Sequence, residues 1–177
     1  MDDQFRSLGG IEPVLGSGFS VLSEDQIIAL ENNIGSLLPL DYREFLKNYG
    51  GSRFGLLVLF RPLNVLPDTV SSSGNGCFDF FFGGGDDYSL TWARKSYGDR
   101  IPESLLPIGG DLGGGVICLG VSDDTKYKIY YWDPKNEWDP DDIEEGDDIE
   151  AARFQNVYHV ADSFSAFLRQ LEVSPHA

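Results

Sequence analysis

Apolar positions recur at helical spacing between residues 23 and 51, crowd into short strand-like runs between 54 and 132, and return to helical spacing after 162. The clearest stripe lies in residues 37–51, LLPLDYREFLKNYGG. Here Tyr42, Phe45, Leu46 and Tyr49 fall at i, i+3, i+4 and i+7, while Asp41, Arg43, Glu44 and Lys47 fall on the rest of the surface. Pro39 suits a first turn, Asp41 puts a negative charge near the positive end of the helix dipole, and Gly50 can take the left-handed conformation that stops the helix. Just upstream, Ser23 and Gln26 spell a capping box and Leu22 and Ile27 occupy the positions of a hydrophobic staple. They predict a helix over about 24–33 with Ile27, Leu30 and Ile34 turned inward, joined by the short 35–38 connection into a helical hairpin. Near the end, Phe164, Phe167, Leu168 and Leu171 repeat the spacing, with Asp162 as the expected cap.

The middle of the chain reads as a sheet. Strands are expected at 54–60, at 77–82 before the glycines 83–85, and at 116–121, whose unbroken apolar run suits burial on both faces. Residues 127–132 are strongly β-prone and follow a polar turn at 122–126, so the last two form an antiparallel hairpin expected at the centre of the sheet. A short strand is expected at 157–160. Residues 86–97 stay open: Tyr88, Trp92 and Lys95 can share a helical face, yet 90–92 also suits a strand. Residues 101–108 carry two prolines and lead into an extended piece, 109–115 read as a loop of five glycines and one aspartate, and 1–18 read as an irregular lead-in with one short helical turn.

Composition sharpens this picture. At 177 residues the chain is of single-domain size and can bury roughly two-thirds of the surface that it exposes when unfolded. Hydrophobic residues make up 41% and aromatics 13%, so the net charge of −16 decorates a folded body. Such a field repels nucleic-acid backbones and anionic membranes and attracts basic partners. Half of the imbalance sits in one stretch, 139–150, DPDDIEEGDDIE, which holds eight acidic residues and no basic one. Cys77 and Cys118 belong to no CxxC or Cys/His cluster and read as buried thiols. The N-terminus has no apolar leader and no later segment is long and apolar enough for a membrane span, so a cytoplasmic protein is expected.

Catalytic signals are sparse. The only histidines are His159, beside the last expected strand, and His176 in the tail, so any Ser-His-Asp or Cys-His arrangement would rest on His159. No phosphate-binding glycine motif occurs. The acidic stretch tested as an EF-hand from Asp141 places Gly146 at position six, but Ile143 stands at position three and the pattern fails. A metal-assisted hydrolase built on these carboxylates is therefore the weakest reading; no catalytic residue, metal or other cofactor is expected. Trp138 directly before the run, with Tyr130, Tyr131 and Trp132 ahead of it, instead describes either a solvated charged face or a partner-binding patch.

Three blocks, LLPLDYREFLKNYGG, GGDLGGGVICLGVSDDTKYKIYYWDP and VADSFSAFLRQLE, resemble in this order and spacing the SUKH superfamily, which includes fungal cell-wall-synthesis regulators and many bacterial immunity proteins. The resemblance runs from about Leu22 to Glu172. It implies one α+β domain over 1–177, core 22–172, with a mostly antiparallel sheet flanked by an N-terminal helical hairpin and a C-terminal helix, and no enzymatic activity. For function it implies an immunity protein that occludes a cognate basic toxin domain of a polymorphic or contact-dependent system, for instance a nuclease. A regulatory or scaffolding module is the alternative. The acidic loop departs from the family pattern, and Trp138, Asp141, Asp142, Glu144, Glu145, Asp147 and Asp148 are its candidate partner-binding residues.

Overall fold

The computed structural model describes residues 2–14, 20–68, 70–85, 89–139, 141 and 143–175; Tyr88, Asp142 and His176, named above, lie outside them. The fold is α+β. In chain order it runs α1 (Asp2–Ser7), β1 (Ile11–Pro13), α2 (Glu24–Ile34), α3 (Leu40–Asn48), β2 (Ser52–Phe60), β3 (Gly76–Phe81), α4 (Leu90–Tyr97), β4 (Leu105–Gly110), β5 (Val116–Gly120), β6 (Ile129–Trp132), α5 (Ile149–Arg153), β7 (Val157–Ala161), α6 (Phe164–Gln170) and β8 (Glu172–Val173). Neighbouring strands pair antiparallel in the order β1 to β7, and β8 pairs with β2 beside β1.

The helical hairpin forms as its caps prescribe. Ser23 Oγ accepts from Gln26 N while Gln26 Oε1 accepts from Ser23 N at 2.8 Å, and Gly35 closes α2 in the left-handed conformation. On α3, Tyr42, Phe45 and Leu46 are buried and Tyr49 is half-buried against the same core. Gly50 ends this segment at φ 54°, where a Cβ would come within 2.3 Å of the Ser20 carbonyl. Only glycine fits that approach.

Two surface assignments on α3 change. Arg43 is half-buried and bonds the carboxylate of Glu31, which is only 6% exposed and also accepts from Leu38 N at 2.8 Å. Asp41 Oδ2 reaches across to accept from Ser165 N and Oγ at 2.9 and 2.6 Å, joining α3 to the first turn of α6. The cap of α6 is Ser163, whose Oγ accepts from Ala166 N, and not the expected Asp162, which lies 3.3 Å from His159 Nε2. Both residues are good cap formers; with Ser163 as cap, Phe164, Phe167 and Leu168 are all buried.

Burial alone would raise the Glu31 carboxyl, but hydrogen bonds from Arg43 and Leu38 N–H, with the guanidinium charge, outweigh it and leave the group below its ordinary value. A folded value below the unfolded one stabilises at pH above the unfolded value, about 4.3, and that stabilisation is lost as pH falls through the folded value. Glu31→Gln is expected to flatten the loss of stability below about pH 5 in urea titrations across pH. Equal acid slopes for the two proteins would refute this role.

The sheet curls tightly. Phe60 of β2 and Tyr131 of β6 have ring centroids 5.4 Å apart, although four strand spacings would separate flat strands by about 19 Å. Asn64, just past β2, secures the curl: its N–H donates to His159 O on β7 at 3.0 Å and its Oδ1 accepts from His159 N at 2.6 Å. The concave face, filled by α3 and α6, holds the main core, to which Ile117, Leu119, Ile129 and Tyr131 point. Their alternates Val116, Cys118 and Trp132 join Ile101 and Leu105 in a second, smaller core. That division explains the continuous apolar run of β5.

Other expectations shift. The β5–β6 hairpin lies off-centre, since β4 is the middle strand of the seven-strand path. Gly109 and Gly110 belong to β4 and not to a loop, pairing with Phe81 and Phe80, and a Cβ on Gly109 would meet Phe80 O at 2.5 Å. Asp111 then orders the hairpin tip, its Oδ1 accepting from Gly113 N and Gly115 N and its Oδ2 from Tyr131 hydroxyl at 2.9 Å. Residues 90–97 are helical, burying Leu90 and Ala93 while Lys95 is exposed. The N-terminal lead-in supplies α1 and the edge strand β1, with Phe5 and Leu8 in the core. Cys118 is buried, but Cys77 is exposed.

Candidate functional site

The acidic stretch lies in an excursion between β6 and β7 whose two ends are fastened together. Asp133 N donates to Asn156 O at 3.0 Å, and Asn156 Nδ2 donates to Asp133 O at 2.6 Å. The buried Asp133 carboxylate turns the chain out of β6 by accepting from Lys135 N and Asn136 Nδ2. The excursion then docks on the connection between α4 and β4. Glu137 takes both hydrogen bonds of the Arg100 fork at 2.6 and 2.5 Å, and Arg100 lies 4.9 Å over the Trp132 ring. Further along, Glu150 Oε1 accepts from Glu103 N at 2.9 Å.

Between these attachments the carboxylates face solvent. Asp141, Glu144, Glu145, Asp147 and Asp148 are all exposed. Two also shape the backbone: Asp147 Oδ2 accepts from Glu144 N at 2.9 Å, and Asp148 caps α5 by accepting from Ala151 N at 3.1 Å. Both bonds run through single oxygens, so the charges stay available at the surface. Asp142 lies outside the described residues.

The aromatic half of the expected patch is arranged differently. Trp132 and Tyr131 are buried, on opposite faces of the sheet. Trp138 is half-buried, with the Arg153 guanidinium 5.9 Å over its ring. Arg153 itself reaches Glu150 at 3.4 Å and Glu103 at 3.9 Å. Beside Arg153 opens a groove of about 960 Å³ between α4 and α5, floored by Ile101, Leu105 and Pro107 and rimmed by Glu103 and Ile149. Ile149 is 46% exposed, an apolar edge on a charged wall.

These contacts escaped the sequence because they join residues far apart in the chain. One local signal was present: Asp148 followed by Ile-Glu-Ala-Ala-Arg is a capped helical turn with an acid at its start and a base at its end.

The residues with catalytic potential are placed for other work. His159 sits on β7 with Nε2 3.1 Å from Ala161 O and 3.3 Å from Asp162 Oδ1, so the ring faces a carbonyl and a carboxylate and not a serine or cysteine. Burial pushes the Cys118 thiol up, and burial with the Asp111 charge pushes Cys77 up, the opposite of an activated nucleophile. Among the described residues no group of three or more His, Cys, Asp or Glu is placed to hold a metal ion, and no helix is long and apolar enough to cross a membrane.

Two comparisons bear on this arrangement. A family model described as the SMI1 / KNR4 family (SUKH-1) matches residues 21–170, which takes in the helical hairpin, the sheet from β2 to β7, the acidic excursion and α6. The SPbeta prophage-derived uncharacterized protein YokK of Bacillus subtilis (strain 168) is 33% identical over 124 residues, covering 64% of this chain and 63% of that protein, a little under two thirds of its length.

Proposed function

The chain belongs to the SMI1 / KNR4 family (SUKH-1), and from that premise we propose that it is an immunity protein that binds a cognate basic toxin domain, for instance a nuclease, and blocks it by occlusion. The observation that carries the reading is the exposed carboxylate run held on a docked excursion: five described acids face solvent within eight residues, on a body of net charge −16. A nuclease is basic where it grips phosphates, and a concentrated acidic surface competes for that site while speeding encounter. Asp141, Asp142, Glu144, Glu145, Asp147 and Asp148 form the contact surface in this proposal. Trp138, half-buried directly before the run, is the aromatic part of that surface in the same proposal.

The reading is tested by co-expression. A toxin domain encoded beside this chain should arrest growth alone and lose that effect when the chain is present, with a one-to-one complex recovered on size exclusion. Undiminished toxicity with no complex would refute it, and capture of a signalling protein in place of a toxin would favour a regulatory module.

A further inference from the structure

We infer that the groove between α4 and α5 is an arginine-recognition slot, occupied at rest by the chain's own Arg153 and opened when a guanidinium from a basic partner displaces it. The inference rests on the toxin-binding reading only for who the partner is; the slot itself follows from comparing two arginines.

Arg100 is fully engaged. It lies 4.9 Å over Trp132 and 6.0 Å from Tyr97, and both arms of its fork meet Glu137 at 2.6 and 2.5 Å. Arg153 has the same kinds of neighbour, an indole and carboxylates, yet every contact is slack. Its guanidinium stands 5.9 Å from the Trp138 centroid, its ion pairs measure 3.4 and 3.9 Å, and its Nε makes no hydrogen bond to the described residues. The side chain is only 15% exposed, so water does little to make good these deficits. A mostly buried guanidinium with a missing bond and long ion pairs is held weakly.

Of the two acids that Arg153 reaches, Glu150 is committed at both oxygens, to Arg153 and to Glu103 N, and Glu103 is the one left open to the groove. Glu103 is 85% exposed and lines the groove with Glu150 and Asp99, together with the bases Lys95 and Arg94, of which Arg94 is taken up by Asn33 O at 2.8 Å. An arginine entering from solvent can meet Glu103 in the two-bond geometry that Arg153 does not attain, while Arg153 swings out to water. The exchange of one cation for another leaves the charge of the slot unchanged. Ile149, exposed at the rim, offers apolar surface to the stem of the incoming side chain.

The test uses the full chain and a hexa-arginine peptide, with affinity from calorimetry and location from the Trp138 indole N–H resonance, identified by its loss in Trp138→Phe. Arg153→Ala should tighten binding by about 3–10-fold, whereas Arg6→Ala, an equal charge change on α1, should alter it by less than about 2-fold. Glu103→Gln with Glu150→Gln should weaken binding about 10-fold or more, against little change for Glu12→Gln with Glu172→Gln on the far sheet edge. Arg153→Gln serves if the alanine variant does not fold. Equal effects of Arg153→Ala and Arg6→Ala, or a stationary Trp138 resonance at saturation, would overturn the slot. No toxin is required, so peptide binding without co-expression rescue would sink the immunity reading alone, and rescue without slot binding would sink this inference alone.

Discussion

Phe45→Ala is expected to destabilise the protein by about 3–5 kcal/mol, the usual range for deleting a buried aromatic ring. Phe45 is fully buried and stands where three elements meet. Its ring is 4.5 Å from Phe81 of β3, 5.1 Å from Phe164 of α6 and 5.4 Å from Tyr49 beyond α3. Removing it takes away apolar burial and leaves a void that rigid neighbours such as Phe81 cannot readily fill. For a chain of this size the melting midpoint should fall by roughly 6–20 °C. Leu40→Ala supplies the control, since Leu40 begins the same helix but is 80% exposed and should change stability by less than about 0.5 kcal/mol. Tyr42→Phe supplies a second: the Tyr42 hydroxyl is buried without a hydrogen bond to the described residues, so its loss should be neutral or stabilising. A Phe45→Ala loss below about 1 kcal/mol in urea titrations would mean that α3 is not seated on the core as described.

What the sequence revealed divides along the range of the interactions. The capping box at Ser23 and Gln26, the Gly50 stop and the α3 and α6 stripes were legible because each depends on residues within about two helical turns. The β5–β6 pair was legible because β-branched and aromatic residues surround a short polar turn. The elements that escaped are those made by distant partners. The edge strand β1 is only three residues long and exists by pairing with β2, and the short helical turn expected in the lead-in is seated by Phe5 and Leu8 in the core. Gly109 and Gly110 looked like loop residues, yet the nearness of Phe80 is what makes glycine necessary inside that strand.

The candidate site was half legible for the same reason. Eight acids in twelve residues announced a charged surface. Its anchoring did not show, because Glu137 meets Arg100 from 37 positions away and Glu150 meets Glu103 from 47. From the sequence alone Tyr131 and Trp132 belong with the patch, because a strand's two faces cannot be told apart when both are covered. Burial on one side by the main core and on the other by the Ile101 and Leu105 cluster removes both rings from the surface.

Neutralising the six carboxylates together, with Asp141→Asn, Asp142→Asn, Glu144→Gln, Glu145→Gln, Asp147→Asn and Asp148→Asn, is expected to slow association with the cognate toxin about 10–1,000-fold at low salt. It removes six of the sixteen net negative charges from one short segment. The fold should tolerate the change: asparagine caps a helix as well as aspartate does, and an amide oxygen can accept the bonds that Asp147 and Asp148 now receive from Glu144 N and Ala151 N. Relief of repulsion between neighbouring carboxylates acts in the same direction, so the melting temperature should hold or rise. The defect should lie mainly in the association rate and fade toward 1 M salt, where the screening length is only about 3 Å. Surface plasmon resonance across a salt series separates the terms: a smaller salt slope with little change in dissociation rate is the expected outcome. An unchanged affinity and slope would move the contact surface elsewhere, and an increased dissociation rate with a normal association rate would point to short-range contacts in place of steering. Phe45→Ala should leave this slope intact in the folded fraction, because Phe45 lies in the main core and the acidic excursion is anchored on the other face of the sheet, at Trp132.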